Sequence, residues 1–167
     1  MIIVCGAART GTSIVAGTLK ALGIYMGESD NPMHEDSVLN GHSIPLGFQN
    51  IVNYRNIKYG KEWGFKNPFL HSYIRNVYHL LDSPKWVFCY RKATDLSELF
   101  FQTISIQGFW AKFFIERGIN PLVIDFDLEQ EERIEKLTGH LQLSPTQEHI
   151  KSAMDFYDKE RGYYAIH

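Results

Sequence analysis

A glycine-containing turn lies near the start of the chain, between an apolar run and an amphipathic segment. Ile2–Cys5 has the length and composition of a buried strand, and Gly6 and Gly11 lead from it to Thr12 and Ser13, where a helix is expected to begin. Such a turn directs several backbone N–H groups to one point, and the dipole of the following helix adds partial positive charge there. The two hydroxyls supply further donors. This combination predicts a binding site for a phosphate or a sulfate group.

The spacing of Gly6 and Gly11 is that of a phosphate-binding P-loop, but the lysine of that loop is missing. Thr12 stands where the lysine would follow the second glycine, and the nearest cation is Arg9, inside the loop. This loss argues against an ordinary nucleoside triphosphatase or kinase. A protein that moves or holds a different anion could use the arginine instead, and the alternative is a turn that binds nothing.

The run Gly6–Ser13 resembles the 5′-phosphosulfate loop of the sulfotransferase family, whose usual form is Pro-Lys/Arg-Ser-Gly-Thr-Thr/Ser after the first strand. Further segments resemble the same family and follow in its order: Leu22–Glu28 after the first helix, Glu35-Asp36 with Leu39-Asn40 on the acceptor side, Trp63–Pro68 (in the family Trp-Gly-x-Lys-Asp-Pro), Val87–Asp95 at the 3′-phosphate, and Pro121–Leu128 as a late strand. Apart from the first loop, no single segment decides the resemblance. The fact that all of them follow in the family's order supports it more strongly. It implies a P-loop-like, three-layer α/β fold.

The resemblance also implies an activity and a cofactor. Sulfotransferases move a sulfuryl group from 3′-phosphoadenosine-5′-phosphosulfate (PAPS) to a hydroxyl or an amine, which depends on positioning and on stabilisation of negative charge. Arg9 matches the loop cation beside the bridging and leaving oxygens, and Lys66 matches a second lysine near the sulfuryl group. The backbone amides of Thr10–Ser13 match the cradle of the 5′-phosphate. We expect a small-molecule or carbohydrate acceptor and no metal ion.

The resemblance to the sulfotransferase family is weaker at the residues that would bind the 3′-phosphate. Arg91 corresponds to the family arginine that holds this group, and it follows a predicted buried strand, at the sheet edge where α/β proteins bind ligands. Relatives carry a serine eight residues later, where this chain has Leu99, so Ser97 is the nearest substitute. Lys92 or the run Lys159–Gly162 could compensate, although such a run is more often a solvent-exposed surface.

The proton of an acceptor hydroxyl requires a base within hydrogen-bond reach. Many family members use a histidine two residues after the lysine that matches Lys66, and Pro68 stands there instead. Candidates lie in segment 28–60, whose prolines, glycines and weak periodicity predict a lid or acceptor-side segment, or else an irregular surface excursion. They are Glu35, Asp36, His34 and His42. Glu35 matches the family's acidic segment best and is the expected catalytic carboxylate.

Two alternatives remain beside a sulfotransferase. One is a P-loop kinase-like enzyme that uses ATP, because the run Leu122–Asp125 resembles a strand that ends in a metal-supporting aspartate. The other is a non-catalytic relative that binds a nucleotide, because the chain is short for the sulfotransferase family and lacks mostly acceptor-side insertions. A short acceptor site is also compatible with a small or extended substrate, or with a site completed by another subunit.

Short apolar runs alternate with amphipathic segments, as expected for helices packed on a parallel sheet. The predicted strands are Ile2–Cys5, Trp86–Tyr90 and Leu122–Phe126, with a possible fourth at Trp63–Lys66. Apolar stripes at helical spacing predict helices over 15–22, 70–81, 96–104, 134–141 and 150–157, the last with Ser144 as its N-cap. We therefore expect a single α/β domain of three layers over residues 1–167.

The composition excludes several other classes of protein. The chain has 167 residues and a formal net charge of -2, which gives no support to a nucleic-acid binder with a strongly basic surface. No apolar run approaches the length of a bilayer-spanning helix. Cys5 and Cys89 each lie in an apolar run, as reduced core thiols do. We expect a cytoplasmic protein that acts on neither membranes nor nucleic acid, and the sequence does not indicate its oligomeric state.

Overall fold

A parallel β-sheet lies at the centre of the computed structural model, which describes residues 1–28, 33–40 and 45–164. Its strands are β1 (Ile2–Gly6), β2 (Gly64–Lys66), β3 (Lys85–Tyr90) and β4 (Leu122–Asp125). Within the described residues they form one sheet in the order β2-β1-β3-β4, and every neighbouring pair is parallel. The predicted strands, including the possible fourth, are confirmed with bounds that differ by a residue or so.

Helices flank this sheet on both faces. They are α1 (Thr12–Ala21), α2 (Ser37–Asn40), α3 (Pro45–Tyr59), α4 (Ile74–Val77), α5 (Phe100–Glu116), α6 (Gln130–Leu141) and α7 (Gln147–Tyr164). Because side chains alternate along a strand, Ile3 and Cys5 of β1 join one core with α3, α4 and α5, whereas Ile2 and Val4 join another with α1 and α6. The predicted mixed α/β class with a parallel sheet is therefore confirmed.

Segment 28–60 is more helical than its composition predicts. Most of its described part is α3, whose Phe48 and Val52 are buried in the core beside β2. Arg55, one further turn along, is also buried, at 2% exposure. The lid or acceptor-side role of this segment stays a prediction.

Segment 70–81 has the predicted buried stripe but is not one helix. Leu70, Ile74 and Val77 are fully buried, yet the backbone forms short 3₁₀ turns at Leu70–Ser72 and Tyr78–Leu80 on either side of α4. The break comes at Tyr73, whose φ of -134° is not helical. The stripe predicted which side chains reach the core, but not the path of the backbone.

Two predicted helix starts are also displaced. The Oγ1 of Thr146 accepts a hydrogen bond from the N–H of His149 at 3.2 Å, so this threonine caps α7 in place of Ser144. The helix expected from residue 96 begins at Phe100, after short turns. Within the described residues, none of the helices combines the length and the apolar character that crossing a bilayer requires.

Candidate functional site

The carboxyl ends of the strands surround a cavity of about 800 Å³. In open parallel sheets ligands bind at this edge, because the loops that follow the strands converge there. The lining includes the loop residues Ala8, Arg9, Gly11, Thr12 and Ser13, then Glu35 and Lys66, then Arg91 with Asp95, Leu96, Ser97, Glu98 and Leu99, and Phe126. The predicted site residues are therefore brought together at one cavity, with the exception of Thr10.

The loop after β1 is held in its shape by its own residues. A Cβ atom on Gly6 would lie 2.7 Å from the carbonyl oxygen of Cys89, and Gly11 has a φ of +86°, so both positions favour glycine. The hydroxyl of Thr10 donates to the carbonyl oxygen of Ala7 at 2.8 Å and is buried. The Thr10 side chain therefore shapes the turn and does not line the cavity, and the contact of its backbone amide with a ligand stays a prediction.

The first turn of α1 faces the cavity with backbone N–H groups that have no partner within the helix. Gly11 is the N-cap residue, and no side chain caps the helix. The first N–H groups of a helix have no partner within it, and the dipole is positive at this end. Thr12 and Ser13, in this turn, line the cavity although they are almost fully buried. This turn is therefore suited to hold an anion.

Lys66 enters the cavity from the end of β2 and is not a solvent-exposed charge. Its side chain is 2% exposed, and its Nζ donates to Ser13 Oγ at 3.2 Å, to Glu35 Oε1 at 3.0 Å and to the carbonyl oxygen of Met33 at 3.0 Å. Burial lowers the pKa of this ammonium, and the Glu35 carboxylate opposes that shift. An anion bound in the loop would meet a poorly hydrated positive charge.

The two neighbouring carboxylates have different surroundings. Glu35 is partly exposed, lines the cavity and pairs with Lys66. Asp36 is fully buried, forms an ion pair with Arg55, and accepts the N–H groups of Val38 at 3.1 Å and Leu39 at 3.2 Å. Asp36 is thus bound on all sides to protein donors, and of these two candidate bases only Glu35 reaches the cavity.

His34 does not line this cavity. His34 borders a separate depression with Lys20, and its ring packs edge-on against Phe156 at 5.4 Å between centroids. Burial lowers the pKa of His34, and the charges of Lys20 and Lys66 add to that effect. His42 lies outside the described residues, as do the side chains of Lys159–Gly162.

Arg91 reaches the same loop from the end of β3. Its guanidinium lies over the ring of Phe126 at 3.9 Å from the centroid, and its Nη1 donates to the carbonyl oxygen of Arg9 at 3.4 Å. Its Nε is buried without a hydrogen-bond partner. A buried donor of this kind is costly unless something accepts from it, which indicates a place for an anion. Ser97 and Leu99 both line the cavity beside it.

Phe126 is the residue of this site that the sequence did not single out. It follows β4 directly, and its carbonyl oxygen accepts from Nη2 of Arg133 at 3.2 Å. The same nitrogen donates to Leu128 at 2.6 Å, so the buried arginine fixes the turn that carries the ring. The sequence did contain a signal for Phe126. It is an aromatic residue at the carboxyl end of the last predicted strand, and this end lies at the same sheet edge as Arg91.

Part of the cavity lining is apolar. Met33, Pro68 and Phe69 line it, and Met33 and Phe69 are 41% and 66% exposed. The cavity thus combines charged side chains with an apolar rim formed by these three residues. Among the described residues, no cluster of three or more histidine, cysteine, aspartate or glutamate side chains is placed to hold a metal ion.

No family model, curated protein or solved structure matches this chain. The chemistry of the cavity therefore has to be inferred from its own residues.

Proposed function

We propose that this protein is a PAPS-dependent sulfotransferase whose acceptor is a small molecule that carries a hydroxyl or an amine. The observation that carries the proposal is the convergence of two cations on one anion-binding loop: Lys66 contacts Ser13, and Arg91 contacts the backbone of Arg9. These cations come from strands on either side of β1. A ligand with separate anionic groups suits this arrangement better than a single phosphate does.

The residues present fit PAPS at its 5′ end. The uncapped first turn of α1 and the hydroxyls of Thr12 and Ser13 would hold the phosphosulfate. When bound, PAPS supplies a sulfuryl group joined to its 5′-phosphate through an oxygen that departs with the nucleotide. Arg9 and Lys66 neutralise negative charge at this end, and fixed cations in a partly dehydrated cavity act strongly because they need not reorganise.

The 3′ end fits Arg91. Its unpartnered Nε provides a donor, and the stacking on Phe126 holds the guanidinium in place. Leu99 stands where the family has a serine, but Ser97 lines the same part of the cavity and supplies a hydroxyl. Lys92 is exposed and is not among the lining residues, so it is a weaker candidate for compensation.

The apolar rim and Glu35 suit an acceptor with an apolar body and one polar end. Glu35 lines the cavity on the same side as Met33, with its carboxylate 3.0 Å from Lys66. We assign Glu35 the removal of the acceptor proton, since of the described candidate bases it alone reaches the cavity. An apolar hydroxyl compound such as a phenol fits this rim better than a strongly hydrated carbohydrate.

The ATP-dependent alternative has less support. Asp125, the proposed metal-supporting aspartate, accepts the N–H of Asp127 at 3.0 Å and does not line the cavity. The P-loop lysine position is occupied by Thr12. Neither observation favours bound Mg-ATP.

The experiment is a thermal-shift titration with adenosine 3′,5′-bisphosphate, AMP, and ATP with and without Mg²⁺, followed by sulfuryl transfer from labelled PAPS to a panel of phenols and sugars. A ligand at about 100 times its Kd adds about 2.7 kcal/mol to the native state. For a chain of this size that amounts to about 2–4 °C per kcal/mol. We expect a shift with the bisphosphate and label transfer that Arg9→Ala abolishes. A shift with Mg-ATP alone overturns the proposal.

A further inference from the structure

Helix α5 carries an apolar stripe on its solvent side. Phe101, Ile104 and Ile115 are 84%, 49% and 81% exposed. Gly108 and Ala111 lie between them and are also exposed, and a Cβ atom added to Gly108 would have nothing within 4 Å. The five positions follow one another at steps of three and four residues, which places them on one face of a helix.

This stripe is separate from the face of α5 that packs on the sheet. Ile106, Trp110 and Phe113 are buried in the core around Trp86. The helix is therefore apolar on two opposite faces, and a surface helix needs only one of them. Large side chains as exposed as Phe101 and Ile115, aligned along one helix, indicate an interaction surface.

We propose that a second copy of this chain covers the stripe, with the two α5 helices antiparallel and crossing at Gly108. Phe101 and Ile115 each lie seven residues from Gly108, so a two-fold axis at the glycine sets Phe101 of one copy against Ile115 of the other. Gly108 and Ala111 leave the space that two backbones need for close approach. The stripe is thus complementary to itself, which a two-fold interface requires.

The charges at the ends of α5 favour the same antiparallel arrangement. Asp95 and Glu98 lie in the turns directly before the helix and outweigh the charge of Lys92, an exposed cation of the same loop. At its other end the single carboxylate of Glu116 is shared by Arg75 at 3.0 Å, Arg117 at 3.6 Å and Lys112 at 3.8 Å, which leaves a positive excess. Antiparallel packing brings the acidic end of one helix to the basic end of the other, whereas parallel packing sets like charges together.

The size of the stripe sets the strength of the contact. A helix of 17 residues is about 25 Å long at 1.5 Å per residue. One helix face per copy buries less than a standard protein interface, so we expect a reversible dimer with a Kd in the micromolar range.

The first test is sedimentation equilibrium from micromolar to near-millimolar concentration. We expect the unaltered chain to dimerise, and Ile115→Lys or Phe101→Lys to weaken the dimer at least about tenfold, since a buried charge replaces a buried anchor. Ile57→Lys is the matched control, because Ile57 is 87% exposed but lies on α3. A chain that stays monomeric throughout, or a dimer that survives both α5 substitutions, overturns the proposal.

Disulfide trapping tests the crossing point without destabilising the fold. Gly108→Cys should form a disulfide-linked dimer under mild oxidation, whereas Phe101→Cys alone should not, since antiparallel packing sets its two copies 14 residues, or about 21 Å, apart along the axis. Mixing Phe101→Cys with Ile115→Cys should give a cross-linked heterodimer. The native Cys5 and Cys89 are buried and do not interfere. Cross-linking of Phe101→Cys to itself, without Gly108→Cys dimers, overturns the antiparallel arrangement.

Discussion

The ammonium nitrogen of Lys66 lies 3.2 Å from the hydroxyl oxygen of Ser13, so the end of β2 is tied to the first turn of α1. Glu35, 3.0 Å away, keeps this buried charge paired. Because the ammonium already lies beside the helix N-terminus, it needs no large movement to reach an anion in the loop.

Replacing Lys66 with methionine keeps the aliphatic chain and removes the charge. We expect kcat for sulfuryl transfer to fall by about 10²–10³-fold, since the charge acts where negative charge develops. Affinity for adenosine 3′,5′-bisphosphate, which lacks the sulfuryl group, should change less than the rate does. Calorimetry and label transfer measure the two quantities. Lys136→Met, at an exposed lysine of α6 outside the lining, is the control, and unchanged turnover in Lys66→Met contradicts the assignment.

Replacing Arg91 with alanine tests the 3′-phosphate corner. A hydrogen bond to a charged group contributes about 1.5–3 kcal/mol, so binding of the bisphosphate should weaken by about 10- to 150-fold. AMP lacks the 3′-phosphate, so its affinity should fall much less in the same variant. The ratio of the two affinities, measured by calorimetry, therefore reports on this corner. An equal loss for both ligands would show that Arg91 acts only through the loop carbonyl of Arg9.

Replacing the neighbouring carboxylates Asp36 and Glu35 by amides should affect different properties: stability for Asp36 and turnover for Glu35. Asp36→Asn leaves the buried Arg55 without its charge partner, which costs about 3–5 kcal/mol and lowers Tm by about 6–20 °C. Glu35→Gln should lose turnover with a smaller fall in Tm than Asp36→Asn, because Glu35 is partly exposed and the amide oxygen can still accept from Lys66. Thermal unfolding and label transfer separate the two effects.

A second substitution tests whether Asp36→Asn loses stability because the charge of Arg55 is left unpaired. Changing Arg55 to methionine in the Asp36→Asn background should recover part of the lost stability, because it removes the unpaired buried charge. A double variant that is less stable than Asp36→Asn shows that Arg55 acts through its packing on Tyr25 and Trp63 instead.

The same ion pair explains why the sequence did not reveal α3. Helical periodicity is detected from apolar side chains, but the buried face of α3 continues from the apolar Phe48 and Val52 to the charged Arg55. Arg55 is compatible with the core only because Asp36, 19 residues earlier, neutralises it. The sequence does not show that pairing. Strands β1 and β3 were predictable, by contrast, because each is a short apolar run buried on both faces.

The candidate site was predictable where it depends on local sequence. Gly6 and Gly11 are required by the turn itself, and their spacing identified the loop. The contact of Lys66 with Ser13 depends on the parallel pairing of β1 with β2, and the stacking of Arg91 on Phe126 depends on the pairing of β3 with β4. Such contacts follow from strand order, which the sequence pattern does not specify.

We expect His34 to make the stability of the fold depend on pH. Its ordinary pKa is about 6.5, and burial lowers that pKa in the folded chain, so below pH 6.5 the unfolded chain binds a proton that the folded chain does not. Stability should therefore fall as the pH falls through this window and be fully present above it. His34→Asn, at a position with a φ of +51° that asparagine tolerates, should remove part of this dependence.

Urea unfolding at about pH 7.5 and about pH 5.5 measures this effect as the change in midpoint between the two conditions. The asparagine variant also loses the ring contact with Phe156, which lowers its stability at both pH values and cancels in the difference. His79→Asn, at an exposed histidine, is the control and should keep the pH dependence of the unaltered chain. If His34→Asn responds to pH as strongly as His79→Asn does, the buried imidazole is not the group that titrates, and another group protonated on unfolding must account for the loss of stability in acid.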